Sequence, residues 1–303
     1  MSNTPSHSPG TVLFYDKFLA WLAGRLGCGV FGVSYACHAL EAEKVAEGGR
    51  VEAGTLEGQL RHKRAFLDWL GRDKRFVLVG HSIGCYLTER LAARSGGRYN
   101  VEACVHLMPF HRFDPDKTLD RLGPQLLAKV PTAVRGLGWA LERVVSAVPD
   151  SALLSAMKAS GSVVNTHMAV RLVKAKGYFD RFLTLGADEI GTLGPDLDVE
   201  LVKDMIQGTR QLSVLYARND MWASVRHLKH LRSLLQCGYV GVKVRGGKES
   251  KEVIGGEVHL EVLEGIKHDF PVREGCERVA EWALKEILKV EGQQQWGRGL
   301  SKL

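Results

Sequence analysis

The stretch Phe76-Val77-Leu78-Val79-Gly80-His81-Ser82-Ile83-Gly84-Cys85-Tyr86-Leu87 decides the reading of this chain. Four apolar residues run into Gly-His-Ser-Ile-Gly, and a helical pattern follows. A buried strand, a serine between two glycines and a helix make a nucleophile elbow. The chemistry explains the residue types. A serine on so sharp a strand-to-helix turn is crowded, and small residues two positions before and after it let the helix approach the strand. Its hydroxyl then projects from the carboxyl edge of the sheet. The free N–H groups of the helix start point toward developing negative charge. A bare Gly-x-Ser-x-Gly is common by chance; the flanking strand and helix give this one its meaning.

Working outward, a chain of 303 residues with 45% hydrophobic content can bury a full core. No run of eighteen apolar residues occurs, so no transmembrane helix is expected. Met1 to Gly10 is polar and lacks the basic start and apolar core of a secretory signal. The cysteines (Cys28, Cys37, Cys85, Cys104, Cys237, Cys276) are scattered without a CxxC pair, which fits reduced thiols in an intracellular compartment. The formal net charge of +7 is moderate and spread out; it is compatible with anionic membrane surfaces or nucleic acid, and is more often the mark of a soluble basic protein alone. There is no metal-ligand cluster, phosphate loop or nucleotide fingerprint, so no metal and no cofactor are expected.

Strands alternate with helices on both sides of the elbow. Gly29 to Ser34, Arg75 to Val79, Val101 to Pro109, Arg210 to Tyr216 and Glu257 to Leu263 read as strands. Leu56 to Leu70, Ile83 to Ser95 and Ala280 to Val290 read as helices. This alternation predicts a mostly parallel sheet flanked by helices. From about His111 to Gln207 the strand signal vanishes. Leu119 to Lys129, Thr132 to Val148, Ser151 to Ala159, Asn165 to Ala175 and Val199 to Met205 read as short helices. An insertion there, at residues 111–207 of one domain spanning 1–303, is expected to form a helical cap. Its segment Val130 to Val148 carries Val134, Leu137, Trp139, Leu141, Val144, Val145 and Val148 with Arg135, Glu142 and Arg143 between them. That pattern suits a helix on a lipid surface, and equally a lid helix packed on its own domain.

A serine needs a base, and the base needs an orienting acid. On this architecture both follow the serine in chain order. His268, in Gly265-Ile266-Lys267-His268-Asp269-Phe270, lies beyond the last strand and is the expected base. His62, His227 and His230 fall on charged helices, and His106 and His259 fall within strands. His81 is read as pointing away from the serine's side of the turn. The expected acid is Asp220, in Tyr216-Ala217-Arg218-Asn219-Asp220-Met221-Trp222, where an apolar strand ends. It competes with a plain capping role for the helix starting near Trp222, and with Asp269 as rival acid. Ile83 supplies the first oxyanion-hole N–H.

Taken together, Gly80 to Gly84, Tyr216 to Trp222 and Gly265 to Phe270 resemble the lipid droplet-associated hydrolases. Pro9-Gly10-Thr11-Val12-Leu13-Phe14-Tyr15 is similar to the end of that family's Pro-Gly-Asn-Pro-Gly loop and the Phe-Tyr beyond it. Leu185 to Ile190 sits where the family's cap ends. The resemblance implies an α/β-hydrolase fold and a serine esterase that cuts lipid esters, such as sterol esters or acylglycerols. It also implies peripheral attachment to a lipid droplet or membrane surface, in the cytoplasm or at the endoplasmic reticulum, with no nucleic-acid partner. A catalytically weak droplet-surface protein on the same fold is the alternative. The second oxyanion donor is expected from Gly10 or Thr11. The chain departs from the pattern ahead of this loop, because Met1 to Pro5 is too short and polar for the family's apolar strand. Two expectations stay open: either the loop still forms from Ser8 to Thr11, or one or more N-terminal strands are missing.

Overall fold

A computed structural model describes residues 12–36, 54–93, 98–110, 131–159, 166–193, 197–220, 222–236 and 257–295. Among them, four strands form one parallel sheet: β1 (Arg75–His81), β2 (Asn100–Leu107), β3 (Gln211–Ala217) and β4 (Glu257–Leu263), ordered β1-β2-β3-β4. The helices are α1 (Asp16–Ala23), α2 (Leu56–Leu70), α3 (Ile83–Ala92), α4 (Pro131–Ala147) and α5 (Asp150–Ala159). They continue as α6 (Thr166–Val173), α7 (Tyr178–Thr192), α8 (Val199–Gly208), α9 (Val225–Gln236) and α10 (Cys276–Gln295).

The chain divides into two compact units. One comprises Phe66–His111, Leu197–His268 and Arg278–Leu303, and holds the sheet. Val101, Ala103, Cys104 and Val105 of β2 and Leu212, Val214 and Leu215 of β3 are buried, as expected of parallel strands covered on both faces. The register aligns His81 with Leu107, Leu107 with Leu215 and Ala217 with Leu263, so the strands end at one carboxyl edge. α3 packs on β1 and β2, and α8 packs on α3. Toward the amino ends of β3 and β4 the core holds a polar knot. Gln211 Nε2 donates to Ser213 Oγ over 2.7 Å, and Ser213 Oγ donates to Glu286 Oε2 over 2.9 Å. His259 Nδ1 meets the same carboxylate at 2.6 Å, and Lys289 closes on its other oxygen. These mutual bonds offset much of the cost of burial, although Gln211 Oε1 and His259 Nε2 make no hydrogen bond among the described residues.

The other unit comprises Met1–Ala65, Arg112–Asp196 and Asp269–Glu277. Tyr15 and Phe18 meet Phe270 edge-on, with ring centroids 6.2 and 5.9 Å away. Here α4 packs on α7 and α5 on α6. At Gly138 a Cβ would lie 3.1 Å from the backbone of Asp180, so the α4–α7 approach is tight enough to favour glycine. Leu56 N donates to Asp188 Oδ2 over 2.7 Å, which joins the start of α2 to α7.

Gly29 to Ser34 forms no strand. Side chains tie this segment down where a ladder was expected: Val12 N donates to Ser34 Oγ at 3.1 Å, and Gln59 makes reciprocal bonds with the main chain of Ala36 at 2.7 and 3.3 Å. The helix expected at Leu119 to Lys129 lies outside the described residues. Leu185 to Ile190, read as a boundary, lies inside α7.

Candidate active site

Ser82 sits between β1 and α3 with φ 54° and ψ −127°, a region nearly closed to residues with a Cβ. Gly80 explains how the turn is made. A Cβ there would stand 2.7 Å from Cys85 Cα and 2.8 Å from Cys85 N, backbone that cannot step aside. Ser82 N donates to Leu107 O at 3.0 Å, and Ser82 O accepts from Cys85 N at 3.0 Å and Phe110 N at 3.2 Å. The strained residue is thus clamped by β2, by the segment after β2 and by α3. Behind it, Thr88 Oγ1 donates to Cys85 O at 2.7 Å and meets His106 Nε2 at 3.0 Å.

His268 Nε2 lies 2.9 Å from Ser82 Oγ, and His268 Nδ1 lies 2.7 Å from Asp220 Oδ2. The Asp220 side chain has no exposed surface, and that of His268 is 17% exposed. With Nδ1–H donated to the carboxylate, Nε2 is left as acceptor for the serine hydroxyl. Asp220 Oδ1 also accepts from Trp222 N at 2.8 Å and Ala223 N at 2.9 Å. The following helix opens at Val225 rather than near Trp222, so Asp220 Oδ1 ties the loop ahead of that helix while Oδ2 faces His268. Asp269 faces elsewhere, paired with Arg273 Nε at 2.5 Å.

Two other described histidines are engaged away from Ser82. His106 meets Thr88, and His259 meets Glu286. His81 differs from its sequence reading: its ring lies 4.9 Å from that of His268, inclined by 42°. Trp222, 57% exposed, stands 6.5 Å from the His268 ring. Neither contact is legible in the sequence, because each depends on how two loops from different strands fold together. Ile83 opens α3 beside the serine. Gly10 and Thr11 lie outside the described residues, as does the Met1 to Pro5 segment.

A parallel sheet, a serine on a strained strand-to-helix elbow, and a histidine and an aspartate on later strand ends define an α/β hydrolase. The family model described as lipid-droplet associated hydrolase matches residues 8–271, and the chain belongs to that family. It is similar to a protein named lipid droplet-associated hydrolase from Dictyostelium discoideum, 27% identical over 129 aligned positions, covering 36% of this chain and 40% of that protein. A protein of the same name from Drosophila melanogaster is 32% identical over 109 positions, covering 34% of this chain and 36% of that one. The aligned part thus spans well under half the length of these relatives. Among solved structures, a candidate lipase from Acinetobacter baumannii superposes with TM-score 0.52 at 14% identity, over 79% of this chain and 69% of that one, a likeness of fold.

Proposed function

We propose that this chain is a serine esterase of lipid esters, sterol esters or acylglycerols, working at the lipid-droplet surface with Ser82, His268 and Asp220 as its triad. The observation that carries the reading is the unbroken hydrogen-bond relay from Ser82 Oγ through His268 to Asp220, at 2.9 and 2.7 Å. Membership of the lipid-droplet associated hydrolase family supports the lipid substrate. We read the chain as one hydrolase domain with residues 111–207 as its helical cap.

In this mechanism Ser82 Oγ attacks the ester carbonyl carbon while its proton passes to His268 Nε2. The carbonyl oxygen becomes an oxyanion, held by Ile83 N–H and by a second main-chain N–H at Gly10 or Thr11. Asp220 stabilises the imidazolium and keeps the ring in its productive tautomer. The C–O bond then breaks as Nε2–H passes to the leaving alcohol oxygen, giving an acyl-serine. Water attacks that acyl group with His268 again as base, and the fatty acid departs.

The alternative is a droplet-surface protein with little turnover. Leu137, Trp139 and Val144 of α4, which are 47%, 61% and 62% exposed, would serve attachment in either reading. A fluorophosphonate probe separates the two. Covalent labelling of Ser82, with ester hydrolysis lost in Ser82→Ala, supports the esterase. Absence of both in well-folded protein overturns it.

A further inference from the structure

His81 lies at the end of β1, between the elbow's first glycine and Ser82, and takes no part in the proton relay. Its ring packs against the imidazole of His268 at 4.9 Å. The ring also hydrogen-bonds to the main chain of His268, and Nδ1 is the nitrogen that donates. Burial first, and the neighbouring imidazole second, hold the His81 ring well below the usual histidine range. At neutral pH it is therefore an uncharged ring with one N–H to give.

The consequence is a closed circuit. From Ser82 Oγ it crosses 2.9 Å to His268 Nε2 and runs through that residue to its own main chain. It then crosses to the His81 ring and returns along the backbone to Ser82. His268 lies on a loop that follows β4, and Gly265 in that loop has φ 72°. Asp220 restrains only the Nδ1 side of the ring. A ring anchored only at Nδ1 can swing from the serine, and a displacement of about 1 Å can cost on the order of a hundredfold in rate. The elbow, by contrast, is clamped by the hydrogen bonds of Ser82 N and O.

We propose that His81 is a positioning residue: through its hydrogen bond to the His268 main chain and its ring contact with the imidazole, it fixes the base to the elbow at hydrogen-bond distance from Ser82. This rests on the triad reading above. The residue before the nucleophile is then chosen for its reach to the base, and His81 acts without touching substrate.

The test compares His81→Asn, whose amide N–H stands where the ring Nδ1–H stands, with His81→Gln, whose amide falls further out at the Nε2 position, and His81→Phe, which keeps a ring and loses the donor. Each is assayed for thermal unfolding, for the rate of fluorophosphonate labelling, and for kcat and KM on a short-chain p-nitrophenyl ester. Rates are taken per folded molecule below the melting transition. The expected result is a roughly 10- to 100-fold fall in labelling rate and kcat for Phe and Gln, with KM within about twofold and substantial rescue in Asn. If Phe does not fold, the contrast of Gln with Asn decides. Equal rates in all variants and the parent overturn the proposal and leave the triad standing, as does an equal fall in Gln, Asn and Phe. A parent that is folded but never labelled overturns the triad reading, and this proposal with it.

Discussion

Asp220 spreads three hydrogen bonds over two oxygens, from His268 Nδ1, Trp222 N and Ala223 N. That division decides what Asp220→Asn should do. The amide oxygen can keep the two main-chain donors, so the loop holds. The amide NH2 then faces Nδ1, which must accept, and the imidazole proton moves to Nε2, where it meets the serine hydroxyl. We expect kcat to fall on the order of 10⁴-fold with little change in melting temperature. Asp269→Asn, which breaks only the pair with Arg273, should leave turnover within a few-fold of the parent. The reverse pattern in an ester assay would name Asp269 as the acid. Ser82→Ala is expected to abolish turnover and leave melting almost unmoved, since alanine keeps the Cβ and with it the strain at φ 54°. At this scale the sequence reveals which residues leave the strand ends, because buried parallel strands read as apolar runs with a functional residue just beyond. It does not reveal His81 against His268, which is a contact between the end of one strand and a loop distant in sequence.

Among the elements, β4 and α2 have the limits their patterns predict, and β1, β2 and β3 differ by a residue or two at their ends. The elements missed have physical reasons. Gly186 and Gly191 interrupt the helical pattern of α7, and each glycine costs about 1 kcal/mol in helix propensity. α1 is short, and tertiary packing of Phe18 and Leu22 outweighs its modest local signal. Gly29 to Ser34 has strand-like residues without a strand to pair with among the described residues. The elbow's own geometry makes a firm prediction. Gly80→Ala sets a methyl against the backbone of Cys85 and Gly84, so α3 must back away from β1. We expect a loss of about 1–3 kcal/mol in stability, read by denaturant unfolding, together with loss of probe labelling. The knot joining β3 and β4 to α10 predicts an acid response. Burial raises the Glu286 pKa, but hydrogen bonds from His259, Lys289 and Ser213 outweigh it and hold the carboxyl down to about 2. A depressed carboxyl stabilises the fold above its unfolded pKa, and that contribution drains away as pH falls through the folded value. The window is thus about 4.5 down to about 2. Glu286→Gln should melt lower than the parent at neutral pH, and its melting temperature should change less across that window. Parallel melting curves of the two proteins against pH would refute the assignment.

At the scale of the whole molecule, the open question is which surface meets lipid. No described helix is long and apolar enough to cross a membrane; under the proposed function, the candidates for lipid contact among the described residues are exposed apolar side chains. The sequence left α4 undecided between lid packing and lipid contact, because a helix buried on one face and lipid-bound on another shows one merged apolar pattern. The structure separates the two faces. Gly138 meets the backbone of Asp180, and Glu142 accepts a hydrogen bond from Gly177 N, so that side of α4 is committed to α7. Leu137, Trp139 and Val144 remain exposed, and Arg143 lies 5.3 Å from the centre of the Trp139 ring. An exposed apolar set beside a cation suits the boundary between acyl chains and anionic head groups. Each such side chain is worth roughly 1.5–3 kcal/mol when fully buried, enough for three together to give measurable attachment. Replacing Leu137, Trp139 and Val144 by serine should therefore abolish co-flotation with phospholipid-coated triacylglycerol emulsions. Thermal unfolding should shift little, because these side chains contribute little to the core. Turnover of a soluble short-chain ester should persist while hydrolysis of emulsified lipid falls. Retained flotation, or a large drop in melting temperature with flotation unaffected, would place attachment on another surface and return α4 to a purely structural role.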